Sequence, residues 1–141
     1  MRGFSLIEAL VTLAIAGVLA ALAIPGYTQV MNRALRQDAR LSLLRLQHSL
    51  EVVFANHLSY APDGGTADPV LPPRSGQGHY LLELRISPDG MAYTALARAD
   101  PAGRQASDAR CTMLSIDQTG RRRSADASGT WRDDDPHRCW S

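Results

Sequence analysis

The sequence predicts an α+β fold: one long N-terminal helix, apolar in its first half and amphipathic in its second, packed on a roughly four-stranded antiparallel sheet. Three observations carry this. From Ala9 to Asn32 no side chain is charged, a stretch with the length and hydrophobicity of a membrane-crossing helix. Leu35, Ala39, Leu43, Leu46, Leu50 and Val53 then recur at three- and four-residue spacing, the mark of one buried helical face. From His79 the period changes to two, as in half-buried strands.

The helix begins within Gly3-Phe4-Ser5-Leu6-Ile7-Glu8, and its apolar run continues to Ile24. Glu8 stands out, because a charge inside a bilayer helix costs about 2.5–3.5 kcal/mol on insertion scales and needs a shallow position or a partner. Gly17 is a weak point, since a mid-helix glycine costs about 1 kcal/mol relative to alanine. Pro25 removes a backbone donor and, with Gly26, should kink or loosen the helix. Tyr27 to Leu58 contains no glycine or proline, so the helix is expected to run on, with Arg36, Arg40, Gln47 and Glu51 between its apolar positions.

Ser59 to Gly78 is rich in proline and glycine and reads as a loop joining helix to sheet. In the first strand Tyr80, Leu82, Leu84 and Ile86 face one side, and His79, Glu83 and Arg85 the other. Ser87-Pro88-Asp89-Gly90 is a turn, proline presetting its angle and glycine tolerating a left-handed one. Met91 to Ala99 is the return strand, and Pro101 to Ala109 a polar loop. Cys111 to Ile116 is the third strand, and Asp117-Gln118-Thr119-Gly120 turns into a short fourth one around Arg121 to Ser124. Ala125 to Ser141 has few apolar residues and would fray unless tied down.

Composition narrows the function. The net charge is +1, so no global field argues for a polyanionic partner. His48, His57, His79 and His137 are scattered and no glycine-rich phosphate loop follows a strand, so neither an enzyme nor a cofactor is expected. Asp133, Asp134 and Asp135 offer oxygen ligands of the kind calcium takes, but three consecutive aspartates also describe a solvated turn. Arg121, Arg122 and Arg123, with Arg132 and Arg138, are candidates for phosphate contact, and Trp131 for stacking on a base. The same arginine run also reads as a solvated face that guards a strand edge.

Gly3, Phe4, Glu8 as the fifth residue after the glycine, about twenty apolar residues and Pro25 together resemble the N-terminus of bacterial type IV pilins and the related type II secretion pseudopilins. The resemblance implies that residues 1–3 are a leader, removed between Gly3 and Phe4 by an inner-membrane prepilin peptidase that also methylates the new amino group of Phe4. Residues 4–31 would be a helix that first spans the membrane and then joins the filament core, and 32–141 a periplasmic globular domain including the C-terminal half of the helix. The single leader charge, Arg2, fits positive-inside orientation. Cys111 and Cys139 then lie outside the cytoplasm, where a pair reads as a disulfide rather than a metal or redox site.

Farther on, Leu114-Ser115-Ile116-Asp117-Gln118-Thr119-Gly120 and the terminal Cys139-Trp140 resemble the minor pilins often called PilE-like, whose disulfide-bounded loop is the pilin D-region. This implies a structural subunit of a type IV pilus, in the inner membrane before assembly and on the cell surface after it. Such subunits support pilus biogenesis, adhesion, twitching motility or DNA uptake. Its partners would be other pilin subunits, the prepilin peptidase, the inner-membrane assembly platform and, before assembly, lipid. Glu8 would meet the Phe4 amino group of a neighbour, compensating a buried charge and setting register. Gly17 to Pro25 would unwind on entry into the filament; close helix packing at Gly17, beside Ala16, Ala20 and Ala21, is the competing explanation. Two alternatives stay open, a secretion-system pseudopilin and a DNA-binding uptake pilin using Arg121, Arg122 and Arg123.

Overall fold

The computed structural model describes residues 5–62, 71–133, 139 and 140, with the backbone alone at 23–26. Helix α1 spans Leu6–His57. It is followed by strands β1 (Tyr80–Ile86), β2 (Tyr93–Ala99), β3 (Met113–Asp117), β4 (Arg122–Ala125) and β5 (Trp131–Asp133), with one 3₁₀ turn, Arg104–Ser107, between β2 and β3. The chain divides into two compact units, residues 1–32 and residues 33–141.

In the first unit Ser5 caps α1. Its Oγ accepts from the Glu8 N–H at 3.3 Å, satisfying one of the donors that a helix start leaves unpaired. Every described side chain from Ser5 to Leu22 is exposed; Leu6 is 82% exposed, Leu13 72% and Leu22 72%. Helical backbone runs through both Gly17 and Pro25, since a proline deletes one rung while the rest of the ladder continues. A methyl group added at Gly17 would meet nothing within 4 Å. This part of α1 is long and apolar enough to cross a membrane.

The second unit is built on the leucine stripe. Leu35, Ala39, Leu43, Leu46 and Leu50 are buried, and the last four join Tyr80, Leu82, Tyr93, Leu114 and Ile116 in one core. Val53 is only half-buried, and Phe54 instead packs on that core. The sheet is antiparallel with strand order β1-β2-β3-β4-β5, five strands where roughly four were expected. The extra one, β5, pairs Trp131 with Ala125 and Asp133 with Arg123. The turns carry their expected glycines: the Gly90 N–H donates to the Ser87 carbonyl at 2.9 Å with φ +68°, and that of Gly120 to the Asp117 carbonyl at 2.9 Å with φ +77°.

Two charged residues that flank the leucine stripe on either side are buried with it. Arg36 reaches Asp108 through Nε–Oδ2 at 2.6 Å and Nη2–Oδ1 at 2.9 Å, and Gln105 Nε2 donates to the same carboxylate at 2.7 Å. Asp38 accepts from Ser75 Oγ at 2.5 Å and from the Gln77 N–H at 2.9 Å. These bonds pin the 3₁₀ turn and the entrance to β1 against α1. Near the opposite end of the sheet, Tyr60 and Tyr93 hydroxyls both donate to Glu51. Burial is the main cause of the raised Tyr93 pKa. The Cys111–Cys139 disulfide is formed, and both sulfurs belong to the core.

Removing one partner of a buried pair strands the other charge, at a cost of about 3–5 kcal/mol, whereas an exposed pair contributes about 0–1 kcal/mol. Arg36→Ala is therefore expected to lower unfolding stability by several times the effect of Arg74→Ala, whose partner is Asp100 in an exposed pair. Denaturant titration of the two variants beside the parent protein checks this, and equal shifts would contradict it.

Candidate nucleic-acid interface

Alternation along the strands gives the sheet two faces. One is covered by α1. On the other, register aligns Leu81, Arg98, Met113, Ala125 and Trp131 in one row across all five strands. The next row is Glu83, Leu96, Ser115, Arg123 and Asp133, and Arg85 and Thr94 follow. These rows enclose a shallow cleft of about 290 Å³ lined by Arg85, Arg98 and Arg123, by Trp131 and Met113, and by Thr94, Leu96 and Ser115.

The three-arginine run does not form one patch. Arg121, just ahead of β4, holds Asp133 with Nη2 at 2.7 and 2.8 Å from its two oxygens. Arg122 lies over the Trp140 ring, 5.3 Å from its centroid, on the face of its register partner Ile116. Arg123 turns to the outer face, where its guanidinium sits 5.6 Å from the Trp131 centroid and its Nε 3.5 Å from Asp133. Trp140 Nε1 donates to the Arg123 carbonyl at 3.2 Å, so the disulfide-anchored C-terminus braces β4 from the inner side.

Sequence reasoning missed Arg85 and Arg98 as companions of Arg123. Arg85 pairs with Glu83 at 2.7 Å, while Arg98 is exposed and has no ion-pair partner among the described residues. The available signal was strand period, which sends Arg85 and Arg98 away from the core; the register joining them to Arg123 was not readable. Arg132 holds Asp126 at 3.0 Å. Asp133, one of the three aspartates considered for calcium, is committed to Arg121 and Arg123; Asp134, Asp135 and Arg138 lie outside the described residues, as do Gly3 and Phe4. Glu8 is exposed near the start of α1.

An uncovered apolar helix at the N-terminus and a helix-backed antiparallel sheet closed by a C-terminal disulfide define a pilin-type subunit. The chain belongs to the type IV pilin family. A family model described as type IV minor pilin ComP, DNA uptake sequence receptor, matches residues 25–115, more than half of the chain. A second, the prokaryotic N-terminal methylation motif, matches residues 1–24. Among curated relatives, the type IV major pilin protein PilE1 of Neisseria gonorrhoeae is 29% identical over 68% of this chain and 58% of its own length. The major pilin PilA of Myxococcus xanthus is 34% identical over 45% of this chain and 33% of its own length. The chain thus spans about half the length of the curated relatives it matches.

Solved structures agree in fold. A type IV pilin from Shewanella oneidensis superposes with TM-score 0.51 at 21% identity, covering 78% of this chain and 98% of that one. The Neisseria meningitidis non-core minor pilin PilV superposes with TM-score 0.54 at 18% identity, covering 71% of this chain and 92% of that one.

The hydrogen bonds from Arg121, then the charges of Arg121 and Arg123, hold the Asp133 carboxyl below its ordinary value of 3.8. A depressed folded-state value means the pairing is complete above about pH 4 and fades as pH falls through the lower, folded value. Carboxyl-carbon NMR is expected to find Asp133 titrating below an ordinary aspartate, and Arg121→Ala to return it toward the ordinary value. A parent Asp133 that titrates ordinarily would contradict the pairing.

Proposed function

We propose that this chain is a minor pilin of a type IV pilus whose globular domain contributes to DNA capture. Residues 1–3 are the leader, cut between Gly3 and Phe4, and residues 4–31 hold the subunit in the inner membrane with 32–141 in the periplasm. Assembly then places the domain on a surface filament. The observation that carries the assembly reading is the exposed apolar run of α1 from Leu6 to Leu22: so much greasy surface needs lipid or sibling helices around it. The match to the N-terminal methylation motif supports processing at that end.

Within such a bundle Glu8 needs a compensating cation, and the methylated amino group of Phe4 on a neighbouring subunit supplies one. Gly17 and Pro25 bracket the stretch of helix that yields during the exchange of lipid for protein. The partners are other pilin subunits, the prepilin peptidase and the assembly platform. The capture reading is supported by the description of the matching family and by the cleft lined with Arg85, Arg98, Arg123 and Trp131.

Gly3→Arg is expected to leave the leader attached, which intact mass of the membrane-extracted protein would reveal; a normally trimmed mass overturns the cleavage assignment. Glu8→Leu is expected to insert and be cut normally yet be depleted from sheared filaments, and incorporation at the parental level would remove the register role. For capture, the detergent-solubilised full chain is expected to retain DNA at about 50 mM salt, with Arg98→Ala lowering the slope of log affinity on log salt by about 0.7–0.9. No retention at that salt overturns the DNA reading.

A further inference from the structure

We infer that the outer sheet face takes unpaired nucleic acid, one base stacking on Trp131 while the strand's phosphates pass over Arg98 and Arg123. This rests on the DNA reading above and narrows its substrate class from DNA in general to single-stranded segments.

Charge alone gives the cleft little hold on a duplex. Of its three arginines, Arg85 is engaged by Glu83 and Arg123 lies beside Asp133, and Arg98 has no ion-pair partner among the described residues. The outer rows also carry Glu83 and Asp133 themselves. Duplex DNA presents a charge about every 1.7 Å of its axis, and tight duplex binders neutralise many phosphates at once. The cleft-lining positions lie on β1 to β5, a broad sheet face rather than the helix or two-stranded ribbon that a major groove about 12 Å wide admits.

The cleft does supply a stacking surface. Trp131 is half-buried and lines it, with the Arg123 guanidinium 5.6 Å from the ring centroid holding the indole in place. Ala125, its cross-strand partner, and Ser115, partner of Arg123, are small, so the floor beside the indole is low. Met113 provides an adaptable apolar neighbour. In an intact duplex both faces of a base are covered by its neighbours, so only an unpaired or extruded base can use such a platform. Trp131 and Arg123 lie beyond the residues matched by the family model, which end at 115, so this platform belongs to the chain's own C-terminal part.

Fluorescence anisotropy of the detergent-solubilised full chain tests this with a labelled oligo(dT) strand of about twenty nucleotides, longer than a single-strand site of about 4–16. The same strand annealed to oligo(dA), and an abasic deoxyribose-phosphate strand of equal length, are the comparisons. The single strand is expected to bind more tightly than the duplex. Trp131→Ala should weaken single-strand binding by about 5- to 140-fold, and Trp131→Phe should restore most of it. The abasic strand should bind the parent protein as weakly as dT binds Trp131→Ala, a comparison that needs no altered protein. If the duplex binds as tightly as the single strand, or the abasic strand binds as tightly as dT, the stacking inference is overturned while the DNA reading stands. If none of the probes binds, both fall.

Discussion

The second unit depends on one shared core, in which α1 packs over a strip of alanines. Ala95, Ala97 and Ala99 follow Tyr93 along the inner side of β2 and are almost completely buried. Leu43, Leu46 and Leu50 are buried in the same core as this strip, and full burial of each leucine contributes about 1.5–3 kcal/mol. Ala39, with no exposed surface, shows how tightly the helix itself is held. A larger residue in this strip would push the helix away and loosen every contact along it.

That packing dictates the polar design around it. Arg36 and Asp38 sit on the same helical turn as Leu35 and Ala39, so burying the apolar pair takes the charged pair out of water too. Desolvated charges are costly unless paired and hydrogen-bonded. Asp108 and Gln105 answer Arg36, and Ser75 with the Gln77 amide answers Asp38. The two connecting segments are thus positioned by the electrostatic needs of the helix. At the far end of the chain the Cys111–Cys139 disulfide plays a comparable part, closing a separation of 28 residues and contributing about 3–4 kcal/mol in the chain-entropy account. It brings Trp140 under β4, where its indole N–H finds the Arg123 carbonyl.

What the sequence made legible follows from period. The leucines at three- and four-residue steps, the alternation from Tyr80 to Ile86 and the glycines of the two hairpin turns each depend on neighbours in the chain, and each stands as expected. Strand β5 was not legible because burial does not hold it: Trp131 is half-buried and Arg132 and Asp133 are exposed, and the strand is kept by pairing with β4 and by Arg121 and Arg123. Arg36 looked like the polar margin of a stripe and Asp38 drew no attention, since a sequence does not say how far a neighbouring segment wraps around a helix. The three arginines looked like one patch because adjacency in sequence is not adjacency on a sheet. Alternation separates Arg122 from Arg123, and only register brings Arg123 together with Arg85 and Arg98.

The outer face has a structural duty as well as a candidate binding one. Leu96 and Ser115 are buried, yet they point away from α1 and Leu96 stands outside the core cluster. The long side chains around the cleft keep water from them: Arg85 and Arg98 are exposed, while Arg123 is half-buried beside Trp131. A ligand that had to displace this cover would expose Leu96 and lose what it gained. A flat base laid on Trp131, with phosphates meeting the exposed Arg98, leaves the cover in place. The inner face is meanwhile occupied by residues 33–57 of α1, so ligand binding on the outer face makes no demand on the packing that holds the domain together.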